Sequence, residues 1–148
     1  MPRIVDGDNL LGTWPGRRRS DAERRALERE VGRLAARERR RIVLVFDGES
    51  PLPSPPASDV LFSGKGRSAD DVILSFLKQQ TDRAGWTVVT SDRVLADQCR
   101  WLGAKVERCD RFRPRLLTAD GEEKPARAGD VDYWLDVFRD KPDEPGRG

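Results

Sequence analysis

A chain of 148 residues that is 36% hydrophobic and 36% charged is one domain's length and can bury a real core under a heavily charged surface. It contains no histidine, which excludes His-based general bases and Ser-His-Asp triads. Its two cysteines, Cys99 and Cys109, form neither a disulfide framework nor a zinc set and read as reduced core thiols.

No apolar run approaches the roughly 20 residues of a membrane span, and the N-terminus lacks a signal-peptide core, so a cytoplasmic protein with no membrane partner is expected. The net charge of +2 is unevenly spread. Residues 1 to 41 hold 12 arginines against 7 acids, residues 42 to 117 hold 11 basic against 10 acidic residues, and residues 118 to 148 hold 5 against 9. A basic front suits a polyanionic partner, while a solvated helix face explains the arginines after Glu23 equally well.

In chain order, Ile4-Val5 ends in Asp6-Gly7-Asp8-Asn9, the pattern of a buried strand delivering polar side chains to its carboxyl end. Gly12-Thr13-Trp14-Pro15-Gly16 reads as a loop at the same sheet edge, followed by Arg17-Arg18-Arg19, placed to hold phosphates. Ser20-Asp21-Ala22-Glu23 is a capping box that opens a helix to about Arg40, with Leu27, Val31, Leu34 and Ala35 as its buried stripe. This crossover leads to a second strand, Ile42 to Phe46, which runs into Asp47-Gly48. Glu49 to Ser58 carries four prolines and reads as an exposed loop. Val60-Leu61-Phe62 is a short strand and Ser63-Gly64-Lys65-Gly66-Arg67 a flexible basic loop without P-loop spacing.

Ser68-Ala69-Asp70-Asp71 begins a helix with Val72, Ile73, Phe76 and Leu77 on its apolar face and Gly85 at its end. Asp71 is spaced as a capping-box acid, whereas Asp70 lies one turn before Ile73 and faces the sheet edge. Trp86 to Thr90 is a strand feeding Ser91-Asp92, either of which serves as N-cap for a helix from Arg93 to Leu102. Val94, Leu95, Cys99 and Leu102 are expected inside. Gly103 to Cys109 reads as a last strand, and Asp110 to Leu117 as helical or irregular. Two regions follow: a domain over 1–117 and an acidic extension over 118–148, in which Val131, Trp134, Leu135 and Phe138 mark a short amphipathic helix.

If the first strand lies between the second and the Thr87 to Thr90 strand, Asp6, Asp47 and Asp92 emerge side by side, with Asp70 closing the set. Clustered carboxylates stay ionised only when cations neutralise them, and Mg²⁺ or Mn²⁺ is the natural partner. A hard cation with basic loops on the same edge points to phosphodiester hydrolysis.

Ile4-Val5-Asp6-Gly7-Asp8-Asn9, Val45-Phe46-Asp47, Ser68-Ala69-Asp70-Asp71 and Thr90-Ser91-Asp92, in this order and spacing, resemble the NYN domain of the PIN-like nuclease superfamily, above all its YacP-like branch of ribosome-associated endoribonucleases. The resemblance spans Met1 to Leu117 and implies a PIN-like three-layer α/β/α sandwich with a mainly parallel sheet. It also implies a metal-dependent endoribonuclease whose partners are RNA and the ribosome. The implied catalytic set is Asp6, Asn9, Asp47, Asp70 and Asp92, with Asp6, Asp70, Asp92 and Asp71 as metal ligands. Arg17, Arg18, Arg19, Lys65 and Arg67 would grip the RNA backbone by charge. Asp8 departs from the pattern, since a tyrosine or serine is common there. Two other readings stand beside this one: a non-catalytic RNA or ribosome adaptor of the same fold, and a phosphatase using Asp6-Gly7-Asp8 as D-x-D, ranked lower because Leu10 stands where threonine or valine is usual.

Overall fold

The computed structural model describes residues 1–50 and 59–121, the side chains of 118–121 excepted. The prolines at 51–56 and the expected tail helix around Trp134 lie outside the described residues. Residues Met1–Leu116 form one compact unit.

At its centre is a five-stranded sheet, β1 (Arg3–Asp6), β2 (Ile42–Phe46), β3 (Val60–Phe62), β4 (Thr87–Val89) and β5 (Lys105–Glu107), in the order β3-β2-β1-β4-β5. Every pairing is parallel. The apolar runs of β1 and β2 form strands buried on both faces, whereas the edge strands β3 and β5 are only partly covered. Ile4, Val43, Val45 and Val88 point to one side, where Ala69, Ile73 and Leu77 of α3 (Ala69–Lys78) and Leu95 and Cys99 of α4 (Arg93–Trp101) meet them. On the other side stand α1 (Gly7–Gly12) and α2 (Asp21–Glu38), the latter burying Leu27, Val31 and Leu34. α5 (Cys109–Gly121) joins them, with Phe112 under the Arg3 guanidinium. The fold is thus an α/β sandwich with an all-parallel sheet, and β1 lies between β2 and β4.

The structure adds a helix after Asp6 and corrects three local expectations. The residues after Asp6 turn straight into the six-residue helix α1. Gly7 makes this possible, because a Cβ there would stand 2.5 Å from the Phe46 ring and 3.0 Å from the Val45 carbonyl oxygen. α3 stops at Lys78 instead of running to Gly85, since Arg83 turns back to donate to the carbonyls of Leu77 and Lys78 while Asp82 caps a separate turn, Arg83–Gly85. Val94 is 68% exposed, and Ala96 takes the inward place beside Leu95 and Cys99. The Ser63 to Arg67 loop is held together: buried Ser63 accepts from the Gly48 amide and donates to the Arg67 carbonyl, and Gly48 bridges Gly64. Cys99 and Cys109 are buried free thiols.

Candidate active site at the carboxyl edge of the sheet

Asp6 is the last residue of β1, the central strand, and is 5% exposed. It stands at the N-cap position of α1. The Thr90 hydroxyl lies 3.2 Å from Oδ2. Burial first, then the neighbouring charge of Asp70, pushes the Asp6 carboxyl up to about 7, against the opposing pull of the Asn9 amide and Thr90. No cation pairs with it among the described residues.

Asp70, in the first turn of α3, is half-buried and has no hydrogen-bond or ion-pair partner among the described residues. Its carboxyl is also raised, by burial and then by Asp92, Asp47 and Asp71. Cys99 beneath the edge feels the same field: burial, Asp70 and Asp6 push its thiol up to about 12, so it is no nucleophile at neutral pH.

The remaining acids serve the fold as well. Asp47 Oδ1 accepts from the Ala69 amide at 2.7 Å and so holds the start of α3. Asp71 completes the capping box with Ser68 and is exposed. Asp92 is the N-cap of α4, with Oδ1 accepting from the amides of Val94 and Leu95. Ser91, the other candidate cap, instead accepts from the Cys109 amide. Asn9 faces inward: its Oδ1 accepts from the Ser91 amide at 2.8 Å and lies 3.3 Å from Cys109 Sγ and 3.4 Å from the Thr90 hydroxyl. It organises the edge by joining α1, the turn after β4 and α5.

The four expected metal ligands do not converge as a set. Among the described residues no three acid or thiol side chains are placed to hold a metal ion. The carboxylates free of structural duty are Asp6 and Asp70, with Asp92 and Asp47 offering their second oxygens. Such a donor set fits a hard cation that takes one or two carboxylates and keeps most of its waters, rather than a closed cage.

Asp8 is 3% exposed and bound bidentately by Arg24, at 2.9 and 2.8 Å. It therefore cannot act as the second acid of a D-x-D phosphatase. Arg17 is likewise withdrawn from any ligand. It pairs with Glu23 and Glu30 at 2.7 and 2.8 Å and lies over the Trp14 ring, and these two acids overcome burial to raise its pKa. Arg67 donates to Ser75 Oγ but stays exposed, as does Lys65. Arg18 is exposed, and Arg19 is folded over Gly12, where a Cβ would stand 2.7 Å from Nε. Thr90 belongs to a motif read in the sequence, but nothing there signals Arg24 or Arg113 as part of this edge. Arg113 donates to the Thr13 carbonyl at 2.7 Å, has no ion-pair partner among the described residues, and has its pKa lowered by burial.

A concavity lined by Met1, Arg3, Glu38, Arg40 and Arg115 lies at the opposite end of the strands. Its charges neutralise one another, Arg3 reaching Glu38 and Glu107, and Arg115 reaching Glu38.

Comparison with known proteins bears out the fold and shows the family. The model of the YacP-like NYN domain matches residues 3–128, past the Leu117 limit of the motifs. The crystal structure of Rae1 (YacP) from Bacillus subtilis superposes with a TM-score of 0.70 at 20% identity, covering 94% of this chain and 91% of that one. A mutant of the same protein gives a TM-score of 0.67 at 21% identity, over 80% and 76% of the two chains. No curated protein matches the sequence.

Proposed function

Since the chain belongs to the YacP-like NYN domains, a nuclease family directed at RNA, we propose that it is a divalent-metal-dependent endoribonuclease working at the carboxyl edge of its sheet. The observation that carries the proposal is Asp6: a carboxylate 5% exposed on the central strand, pressed by Asp70 and Asp47, with no cation among the described residues to neutralise it. Mg²⁺ or Mn²⁺ would be held by Asp6 and Asp70, with Asp92 at its margin. Bound there, such an ion supplies Lewis acidity and a more acidic water.

The protein's own residues do the rest. Thr90 orients Asp6, and Asn9 fixes the Thr90-Ser91 turn against α1 and α5. Asp47 seats α3 so that Asp70 faces the edge. Arg18, Arg19, Lys65 and Arg67, with Arg113 beside the loop after α1, supply positive charge for phosphates without reading bases. Messenger RNA on the ribosome is the substrate we favour, which places the protein in the cytoplasm.

The test is incubation of structured and unstructured RNAs with the wild type and with Asp6→Asn, in EDTA, Mg²⁺ and Mn²⁺. Wild-type cleavage in either metal, lost in EDTA and in the variant, is the expected result. Equal cleavage by a folded Asp6→Asn refutes it. A second reading, a non-catalytic RNA adaptor, draws on the structural duties of Asp47, Asp71, Asp92 and Asp8 and on the lack of a three-acid cage among the described residues. It predicts salt-sensitive RNA binding with no cleavage in Mn²⁺.

A further inference from the structure

We propose that Asp8 and Arg24 are positioning residues: through the main chain of Asp47 they fix where the start of α3, and with it Asp70, stands at the acidic edge. The inference rests on the endoribonuclease reading of that edge.

β1 pairs with β2 only as far as Asp6 opposite Val45, because the chain then turns into α1. The Asp47 amide therefore has no strand partner on that side. Asp8 supplies one, its Oδ2 accepting from the Asp47 amide at 2.8 Å. The same carboxylate is clamped by Arg24, Nε to Oδ1 at 2.9 Å and Nη2 to Oδ2 at 2.8 Å. Arg24 reaches across from the first turns of α2, lies 5.3 Å over the Phe46 ring, and brings Nη2 to 3.4 Å from the Asp47 carbonyl oxygen. Both polar groups of the Asp47 peptide backbone are thus referred to one ion pair.

From there the connection continues outward. Asp47 Oδ1 accepts from the Ala69 amide at 2.7 Å, and Ala69 is the first residue of α3. The Ser68 and Asp71 capping box satisfies the helix's own end but reaches only within that end. The Asp47 bond ties it to the sheet. Asp70 is the next residue, so its position follows from a relay of Arg24, Asp8, Asp47 and Ala69. An ion pair this buried adds little net stability over an apolar replacement, but a bidentate fork fixes geometry in a way that apolar packing does not.

The experiment measures RNA cleavage in Mg²⁺ together with backbone amide resonances, for the wild type, Arg24→Gln, Arg24→Lys and Asp8→Asn. Arg100→Gln, in an exposed pair with Asp97, is the control. Displacing Asp70 should lower kcat by about 10- to 100-fold in Arg24→Gln with KM unchanged. The amides of Asp47, Ala69 and Asp70 should shift, while that of Ser91, held by Asn9, should not. Lysine keeps the charge but not the fork, so Arg24→Lys should restore only part of the rate; it also carries the test if the glutamine variant does not fold. A folded Arg24 variant with wild-type kcat, or with the Ala69 and Asp70 amides unmoved, overturns the proposal. If the wild type itself does not cleave RNA, the endoribonuclease reading fails, and the amide shifts still decide the relay.

Discussion

Replacing Asp6 by asparagine should stabilise the metal-free protein while removing its activity. In the folded state the Asp6 carboxyl sits at about 7 against an ordinary 3.8, so the folded form holds its proton more tightly than the unfolded chain does. Stability therefore falls as pH rises between these two values, and the loss is complete above the folded pKa. At about 1.4 kcal/mol per pH unit, roughly three units correspond to about 4 kcal/mol at pH 8. Asparagine has no charge to bury but accepts from the Thr90 hydroxyl less well, a loss of about 1 kcal/mol. The net gain of about 3 kcal/mol should raise Tm by about 10 °C in a domain of this size. Thermal unfolding followed by circular dichroism in EDTA, at pH 4.5 and pH 8, measures it. The gap should be wide at pH 8 and nearly closed at pH 4.5, and Mg²⁺ should raise the wild type alone. An Asp6→Asn protein no more stable than the wild type at pH 8, or equally favoured at both pH values, would refute the reasoning.

The other expectations separate structural from functional roles. Ser68→Ala and Asp71→Ala should each cost about 1 kcal/mol through the capping box, read by urea denaturation, and Asp71→Ala should leave Mn²⁺ affinity unchanged by calorimetry. Asp70→Asn should weaken that affinity instead. Among the three consecutive arginines, Arg17→Ala should destabilise the fold by about 1 to 2 kcal/mol, between the values for exposed and buried pairs, with RNA affinity intact. Arg18→Ala or Arg19→Ala should each lower the salt dependence of RNA binding by about one charge at no cost in stability.

The acidic edge is legible in the sequence because the physics there is local. An apolar run too short for a helix becomes a strand, parallel strands place their carboxyl ends on one edge, and the residue that follows each run must lie there. Asp6 and Asp47 are found in this way. What stays hidden depends on partners distant in the chain or on geometry without a periodic signal. Asp8 and Arg24 are 16 residues apart on different helices. The helix α1 has six residues, too few to show a period. Arg17, Arg18 and Arg19 are identical as letters, and only the direction of each side chain separates an internal strut from exposed charges. Asp71 and Asp92 carry both a capping and a ligand reading in sequence, and the hydrogen bonds show the capping.

The amide oxygen of Asn9 has a temporal consequence. One of its partners belongs to the turn after β4, and another, Cys109, lies 100 residues further along the chain. The central strand is made first during synthesis, yet its neighbour β4 arrives more than 80 residues later and the final partner later still. Contacts of such long range form late and slowly. A nascent chain shorter than Cys109 carries the Asp6-Gly7-Asp8-Asn9 motif without the clamp that shapes it. The edge is therefore completed only once the chain through Cys109 has been made.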